Sequence, residues 1–214
     1  PDSEFSSLLR AQGWTVDGQS LVVLEPLSFD AVPDCDWIFF ASKNAVRFFF
    51  EQVKQQGIAL PDVRWAALGD ATAEALHRYV ETVDFTGTGA PDSTAKAFQL
   101  QVTAAPGLRV LFPAARHSMQ SIAASLGNSI RAIHFEVYDN QPIAEPPERR
   151  DDVLVFTSPM NAQAYFSRHS LLPFQKVVAI GATTAEALRQ LGIAGVVTAA
   201  AASERGLAEA VKEL

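Results

Sequence analysis

Small hydroxyl residues stand at four places where a short apolar run gives way to a helix-like segment: Ser42, Thr72, Ser158 and the pair Thr183-Thr184. Such a turn lies at the carboxyl end of a strand, the edge where open parallel sheets bind ligands, and it presents backbone N–H groups at a helix N-terminus. Four such turns suit a ligand that carries several carboxylates or phosphates. Helix capping competes with this reading. Ser158 followed by Pro159 has the form of a hydroxyl N-cap with proline at the first helical position, and Thr183 to Glu186 has the form of a capping box. Capping explains Thr72 and Thr184 less well, because they fall one step inside the helix, where a hydroxyl caps nothing and lowers helix propensity.

Other chemistries lack their residues. His77, His117, His134 and His169 are scattered without HExxH or paired spacing, so no metal site is expected. No GxSxG elbow, Walker-type loop or GxGxxG turn occurs, and Thr86-Gly87-Thr88-Gly89 reads as a plain loop; nucleotide binding is not expected. Cys35, the single cysteine, precedes a strand with no basic residue nearby and reads as inert. One cysteine excludes an internal disulfide and suits a reducing, cytoplasmic setting. In 214 residues, 17 Lys and Arg oppose 24 Asp and Glu, a net charge of -7. That balance gives no global field toward nucleic acid or an anionic membrane, so an anionic ligand must be held locally. The longest stretch without a charge, Val153 to Ser167, has 15 positions, short of the roughly 18 to 20 that a membrane span needs. Pro1 to Glu4 shows no signal-peptide pattern, which again points to the cytoplasm.

The turns depend on the elements that carry them. Apolar runs rich in β-branched and aromatic residues predict strands at Leu21 to Leu24, Trp37 to Phe40, Trp65 to Leu68, Val110 to Phe112, Ile133 to Val137, Val153 to Phe156, Val177 to Ile180 and Val196 to Thr198. Between them, apolar residues recur at helical spacing, as in Val46, Phe49, Phe50 and Val53, or Ala185, Leu188 and Leu191. The alternation predicts an α/β fold with a buried parallel sheet flanked by helices.

The chain also repeats itself. Ala67 to Leu76 realigns 112 positions later on Ala179 to Leu188 with seven of ten residues identical, and Asp36 to Ser42 recurs 116 positions later as Asp152 to Ser158. A weaker match at an offset of 114 sets Phe5, Leu8, Gly13, Val16, Val23 and Leu24 against Met119, Ile122, Gly127, Ile130, Val137 and Tyr138. Two similar α/β domains are therefore expected. A strand from Arg109 precedes the helix in the later copy, so a counterpart strand is expected ahead of the first helix, missing here. The Pro-marked segments Leu24 to Phe29 and Val137 to Pro142 occupy equivalent places and read as two parallel crossings between domains. The predicted division is 1-27 with 142-214 as a discontinuous domain, and 28-141 as an inserted one.

Phe40 to Val46, Leu68 to Ala73, Val110 to Pro113, Val137-Tyr138, Phe156 to Pro159, Ala179 to Ala185 and Ser203 to Leu207 together resemble the uroporphyrinogen-III synthase family in order and spacing, from about Leu8 to the C-terminus. The resemblance implies two α/β domains on a two-stranded linker, with a cleft between them and a strand ahead of the first helix. It implies a monomeric hydro-lyase that closes hydroxymethylbilane, a linear tetrapyrrole with eight carboxylates, into uroporphyrinogen III, inverting ring D with loss of water and no cofactor. By matching position, Ser42, Thr72, Ser158, Lys176, Thr183 and Thr184 would bind substrate, and Tyr138 would assist departure of the hydroxyl. The chain departs from the family pattern at Ala41, Ala182 and the turn Ala114 to His117, where Arg116 is a candidate donor to a carboxylate. A second class stays open, because fold does not fix function: a two-lobed module that holds an anionic ligand on the same turns, without catalysis.

Overall fold

The computed structural model describes residues 3–102, 107–118, 121–127 and 130–214. The elements run α1 (Glu4–Arg10), β1 (Val22–Pro26), β2 (Trp37–Phe40), α2 (Lys43–Gln56), β3 (Arg64–Ala67), α3 (Asp70–Leu76), β4 (Phe85–Thr86), α4 (Pro91–Val102), β5 (Leu108–Ala115) and α5 (Ser121–Ser125). They continue with β6 (Ile130–Pro142), β7 (Val153–Phe156), α6 (Pro159–Phe166), β8 (Lys176–Ala179), α7 (Ala182–Gln190), β9 (Val197–Thr198) and α8 (Glu204–Lys212). The chain divides into two compact units, Pro1–Val23 with Gln141–Leu214, and Leu24–Asn140.

In the unit Leu24–Asn140 the sheet order is β1-β6-β5-β2-β3-β4, and the pairs from β6 to β4 are parallel. All four residues of β2 are buried, so its period of two fills two cores. Ile38 and Phe40 pack with Val46, Phe49, Leu111 and Val137 on one face, and Trp37 and Phe39 pack with Phe98, Val110 and Phe112 on the other. α2 starts where the Ser42 hydroxyl accepts from the Ala45 N–H and stops at Gly57, whose φ of 64° favours glycine. In the other unit β7-β8-β9 form a parallel sheet. Leu154, Phe156, Val177 and Ala179 pack with Leu188 on one face, and Val178 packs with Leu9, Leu207 and Val211 on the other. β7 is an edge strand here, whereas β2, its counterpart in the repeat, is flanked by β5.

Three expectations change. The Pro-marked segments are antiparallel: the Leu27 N–H donates to the Val137 carbonyl at 3.0 Å and the Ile143 N–H to the Leu21 carbonyl at 2.9 Å. The chain enters Leu24–Asn140 along one segment and leaves along the other, so the two must oppose. The two-residue strand β4 was not expected, because Asp84 interrupts its apolar run. β6 is also longer than its apolar core, since polar residues carry it at both ends. Met119, set opposite Phe5 by the repeat, lies outside the described residues.

One charged group fixes the register of β2 on β5. Asp36, just before β2, accepts from the Arg109 backbone N–H at 2.8 Å and from its guanidinium at 3.1 and 3.3 Å. The side-chain bonds of Arg109, then its backbone N–H, hold the Asp36 carboxyl below the usual carboxylate range. A pKa depressed by folding adds stability that is present above the unfolded value of about 3.9 and is lost as pH falls through the folded value. Asp36→Asn should therefore lower the urea midpoint at pH 7 and lower it less at pH 3. Equal losses at both pH values would show that the pair contributes no pH-dependent stability.

Candidate active site

Two turns open on one sheet edge in Leu24–Asn140. Phe40 pairs with Ala67 at the carboxyl ends of parallel strands β2 and β3, so the turns that follow, at Ser42 and at Gly69 to Thr72, are neighbours. Ser42 caps α2, and its O–H keeps a donor for a ligand after accepting from Ala45 at 3.1 Å. α3 begins at Asp70 behind Gly69, which gives no side-chain cap, so Thr72 is the third helical residue. Thr72 is 7% exposed. Among the described residues its hydroxyl makes no hydrogen bond and is not sealed away from solvent.

The loop after β4 is built against this turn, which its reading as a plain loop missed. The Gly87 N–H donates to the Ala67 carbonyl at 2.9 Å and the Gly89 N–H to the Leu68 carbonyl at 2.8 Å. Thr94 Oγ1 accepts from the Thr88 N–H at 3.0 Å, and the Thr88 and Ser93 hydroxyls lie 2.6 Å apart. The hydroxyls and glycines between Thr86 and Thr94 were the signal.

The other unit repeats the arrangement. Phe156 pairs with Ala179, so the turns at Ser158 and at Gly181 to Thr184 share the carboxyl edge of β7 and β8. The Ser158 hydroxyl caps α6, accepting from the Asn161 N–H at 3.2 Å and from its side-chain amide at 2.8 Å. The capping box at Thr183 does not form: Gly181 is the N-cap, without a side-chain bond, and Thr183 is the exposed second residue of α7. Thr184 is 3% exposed, and its hydroxyl, like that of Thr72, has no hydrogen bond among the described residues and is not sealed from solvent. Lys176 stands apart from this set. It opens β8 and is exposed at the amino end, about 10 Å of strand away from the turn.

Tyr138 lies on β6 in the unit Leu24–Asn140, its ring stacked on Phe48 with centroids 4.9 Å apart and planes at 18°. The residue is 7% exposed, and the hydroxyl is neither hydrogen-bonded among the described residues nor sealed from solvent. Packing therefore fixes the ring and leaves the phenol oxygen available. Arg116, read as a donor to a ligand carboxylate, is engaged by Glu136 and Asp139 instead. Cys35 does have a basic neighbour in Arg109, yet burial first and Asp36 second push its thiol up to about 11, so it remains protonated. A cavity of about 540 Å³ in the other unit is lined by Phe5, Leu9, Trp14, Val155 and Leu207 and includes none of the candidate residues.

The model of the family described as uroporphyrinogen-III synthase HemD matches residues 3–209. The chain belongs to the uroporphyrinogen-III synthase family. Enzymes of this family cyclise hydroxymethylbilane, and that is the reaction of this chain. Among solved structures, uroporphyrinogen-III synthetase from Helicobacter pylori is similar at 22% identity, with a TM-score of 0.70 over 90% of each chain. A mutant uroporphyrinogen III synthase from the extremely thermophilic bacterium Thermus thermophilus is similar at 19% identity, with a TM-score of 0.54 over 98% of this chain and 94% of that one. At those identities the likeness concerns the fold, a parallel-rich sheet flanked by helices. No curated protein sequence matches significantly. No helix among the described residues is long and apolar enough to cross a membrane.

Proposed function

We propose that the two units act as the two domains of this synthase, a cytoplasmic monomer without a cofactor, and that the hydroxyl turns of each receive carboxylates of the linear tetrapyrrole. The observation that carries this reading is the pair Thr72 and Thr184. In both copies of the repeat a threonine is at least nine-tenths buried at the third position of a helix, behind a glycine that caps nothing, with its hydroxyl unspent. Ser42 and Ser158 on the adjoining turns add donors, and Thr183 is exposed beside Thr184. Lys176, at the opposite strand end, is left out of this set.

The substrate closes on its own to the uninverted isomer, so the enzyme has to steer a reactive cation more than lower a high barrier. The C–O bond of the terminal hydroxymethyl group breaks and the oxygen leaves as water after taking a proton. A C–C bond to ring D closes the ring, the bond that held ring D to its neighbour breaks and re-forms at the other α-carbon of that ring, and a proton lost from the pyrrole carbon balances the one taken by the water. Tyr138 would donate a hydrogen bond to the departing hydroxyl. Carboxylates held on backbone N–H groups and hydroxyls would fix which carbon of ring D reacts. Membership of the synthase family does not favour the non-catalytic module.

Enzymatically generated hydroxymethylbilane, followed by oxidation and separation of the isomers, tests the reading: type III product is expected, and type I alone would overturn it. The turns should act collectively, since one neutral hydrogen bond contributes only about 0.5 to 1.5 kcal/mol. Thr72→Ala and Thr184→Ala should each lower type III formation by roughly tenfold or less, with little change in melting temperature. An unchanged rate in the double variant would remove both residues from the site.

A further inference from the structure

We infer that Arg116 is a positioning residue for Tyr138, acting through a clamp on residues 136–139; the inference rests on the role given to Tyr138 above. The register between β5 and β6 slips at this point. Ala114 pairs with Glu136, but Ala115 pairs with Tyr138, and Val137 is skipped. A bulge of this kind re-aims the side chains beside it. On the next residue the Arg116 N–H donates to the Tyr138 carbonyl at 2.9 Å. The guanidinium then reaches to both sides of that carbonyl. Nε donates to Glu136 Oε2 and Nη1 donates to Asp139 Oδ2, each at 3.1 Å.

One residue thus ties down positions 136, 138 and 139. The Asp139 side chain is only 4% exposed, so the charge-assisted bond holds a buried carboxylate, while the Arg116 side chain, 44% exposed, brings its charge in from the solvent side. Its other oxygen accepts from the Asn140 N–H at 2.9 Å, which extends the hold past the tyrosine. Phe48 fixes the ring itself. A tyrosine has two side-chain torsions, so a fixed backbone and a stacked ring determine where the hydroxyl sits. Arg116 acts on the reaction without touching substrate.

The test is a double-mutant cycle read as kcat and KM for type III formation. Arg116→Gln alone would take the guanidinium charge away from the buried Asp139 carboxylate, so it is combined with Asp139→Asn; Arg116→Lys, which keeps the charge and loses the fork, is the second variant. The Arg116→Gln/Asp139→Asn protein should lose about tenfold in kcat with KM within about twofold. Added to Tyr138→Phe, the same pair of changes should lower kcat by less than about twofold more. Arg116→Lys should fall between wild type and the paired variant. An equal loss in both backgrounds would overturn the inference, since Arg116 would then act independently of the phenol. A raised KM with unchanged kcat would overturn it by making Arg116 a substrate contact. Should the paired variant fail to fold, a fully active Arg116→Lys would also overturn it. Full activity of Tyr138→Phe by itself is a separate outcome that removes the role of the phenol, and with it any positioning role for Arg116.

Discussion

Tyr138→Phe should form uroporphyrinogen III roughly 10- to 100-fold more slowly than wild type, at or below the lower limit of the roughly 10²- to 10⁴-fold that general acids contribute, while its melting temperature stays unchanged. The effect is partial because this leaving group departs without help. The fold should tolerate the change because the part of Tyr138 that packs is its ring, stacked on Phe48, and phenylalanine keeps that ring. The removed oxygen has no hydrogen bond among the described residues, so no buried partner is orphaned. The repeat supplies a control. Leu24 is the residue equivalent to Tyr138 and packs against the same core, so the architecture does not itself require a hydroxyl there. Isomer-resolved rates with a thermal melt check both halves of this expectation, and full activity would assign catalysis to positioning alone.

The sequence revealed those elements whose burial is two-sided. Trp37 to Phe40 and Val153 to Phe156 match β2 and β7 residue for residue, because a strand covered on both faces is an unbroken apolar run with abrupt ends. β4 stayed hidden because only Phe85 of its two residues is buried, and Asp84 in front of it breaks the run. For the candidate site the turns were legible and their local roles were not. Thr183 to Glu186 has the spacing of a capping box, yet spacing cannot show where the helix begins. The other copy held the answer: Thr183 aligns with Ala71, which has no hydroxyl, whereas Gly181 aligns with Gly69, and both glycines are the true N-caps. The assignment of Lys176 rested on matched position alone; the predicted strand Val177 to Ile180 already put it at an amino end, and β8, which it opens, keeps it at the edge opposite the turns. Arg116 was legible as a carboxylate partner, but its carboxylates proved to be Glu136 and Asp139, brought within reach by a bulge that no residue pattern announces.

The same pair of glycines gives a comparison in which local structure, packing and activity separate. Gly69 and Gly181 have nearly identical backbones, φ -171° and ψ 178° against φ -172° and ψ 178°, which any residue adopts. Alanine at either position exchanges one N-cap for a poorer one, a cost of below about 1 kcal/mol that both variants share. Their surroundings differ. A Cβ on Gly69 would stand 2.9 Å from the Gly89 Cα and 3.0 Å from its N, backbone against backbone with no side chain to rotate away. A Cβ on Gly181 would meet the Ala202 Cβ at 3.6 Å, an ordinary contact. Gly69→Ala should therefore lose a further 1 to 3 kcal/mol or so to overpacking, seen as a melting temperature lower by about 2 to 4 °C for each kcal/mol in a chain of this size. Because relief requires the Thr88-Gly89 loop and the Thr72 turn to part, type III formation should fall as well, by more than Thr72→Ala alone produces. Gly181→Ala should stay close to wild type in both measurements. Equal behaviour of the two variants would mean that the 87–89 loop yields freely, and the contact between Gly69 and Gly89 would then place no constraint on the turn that carries Thr72.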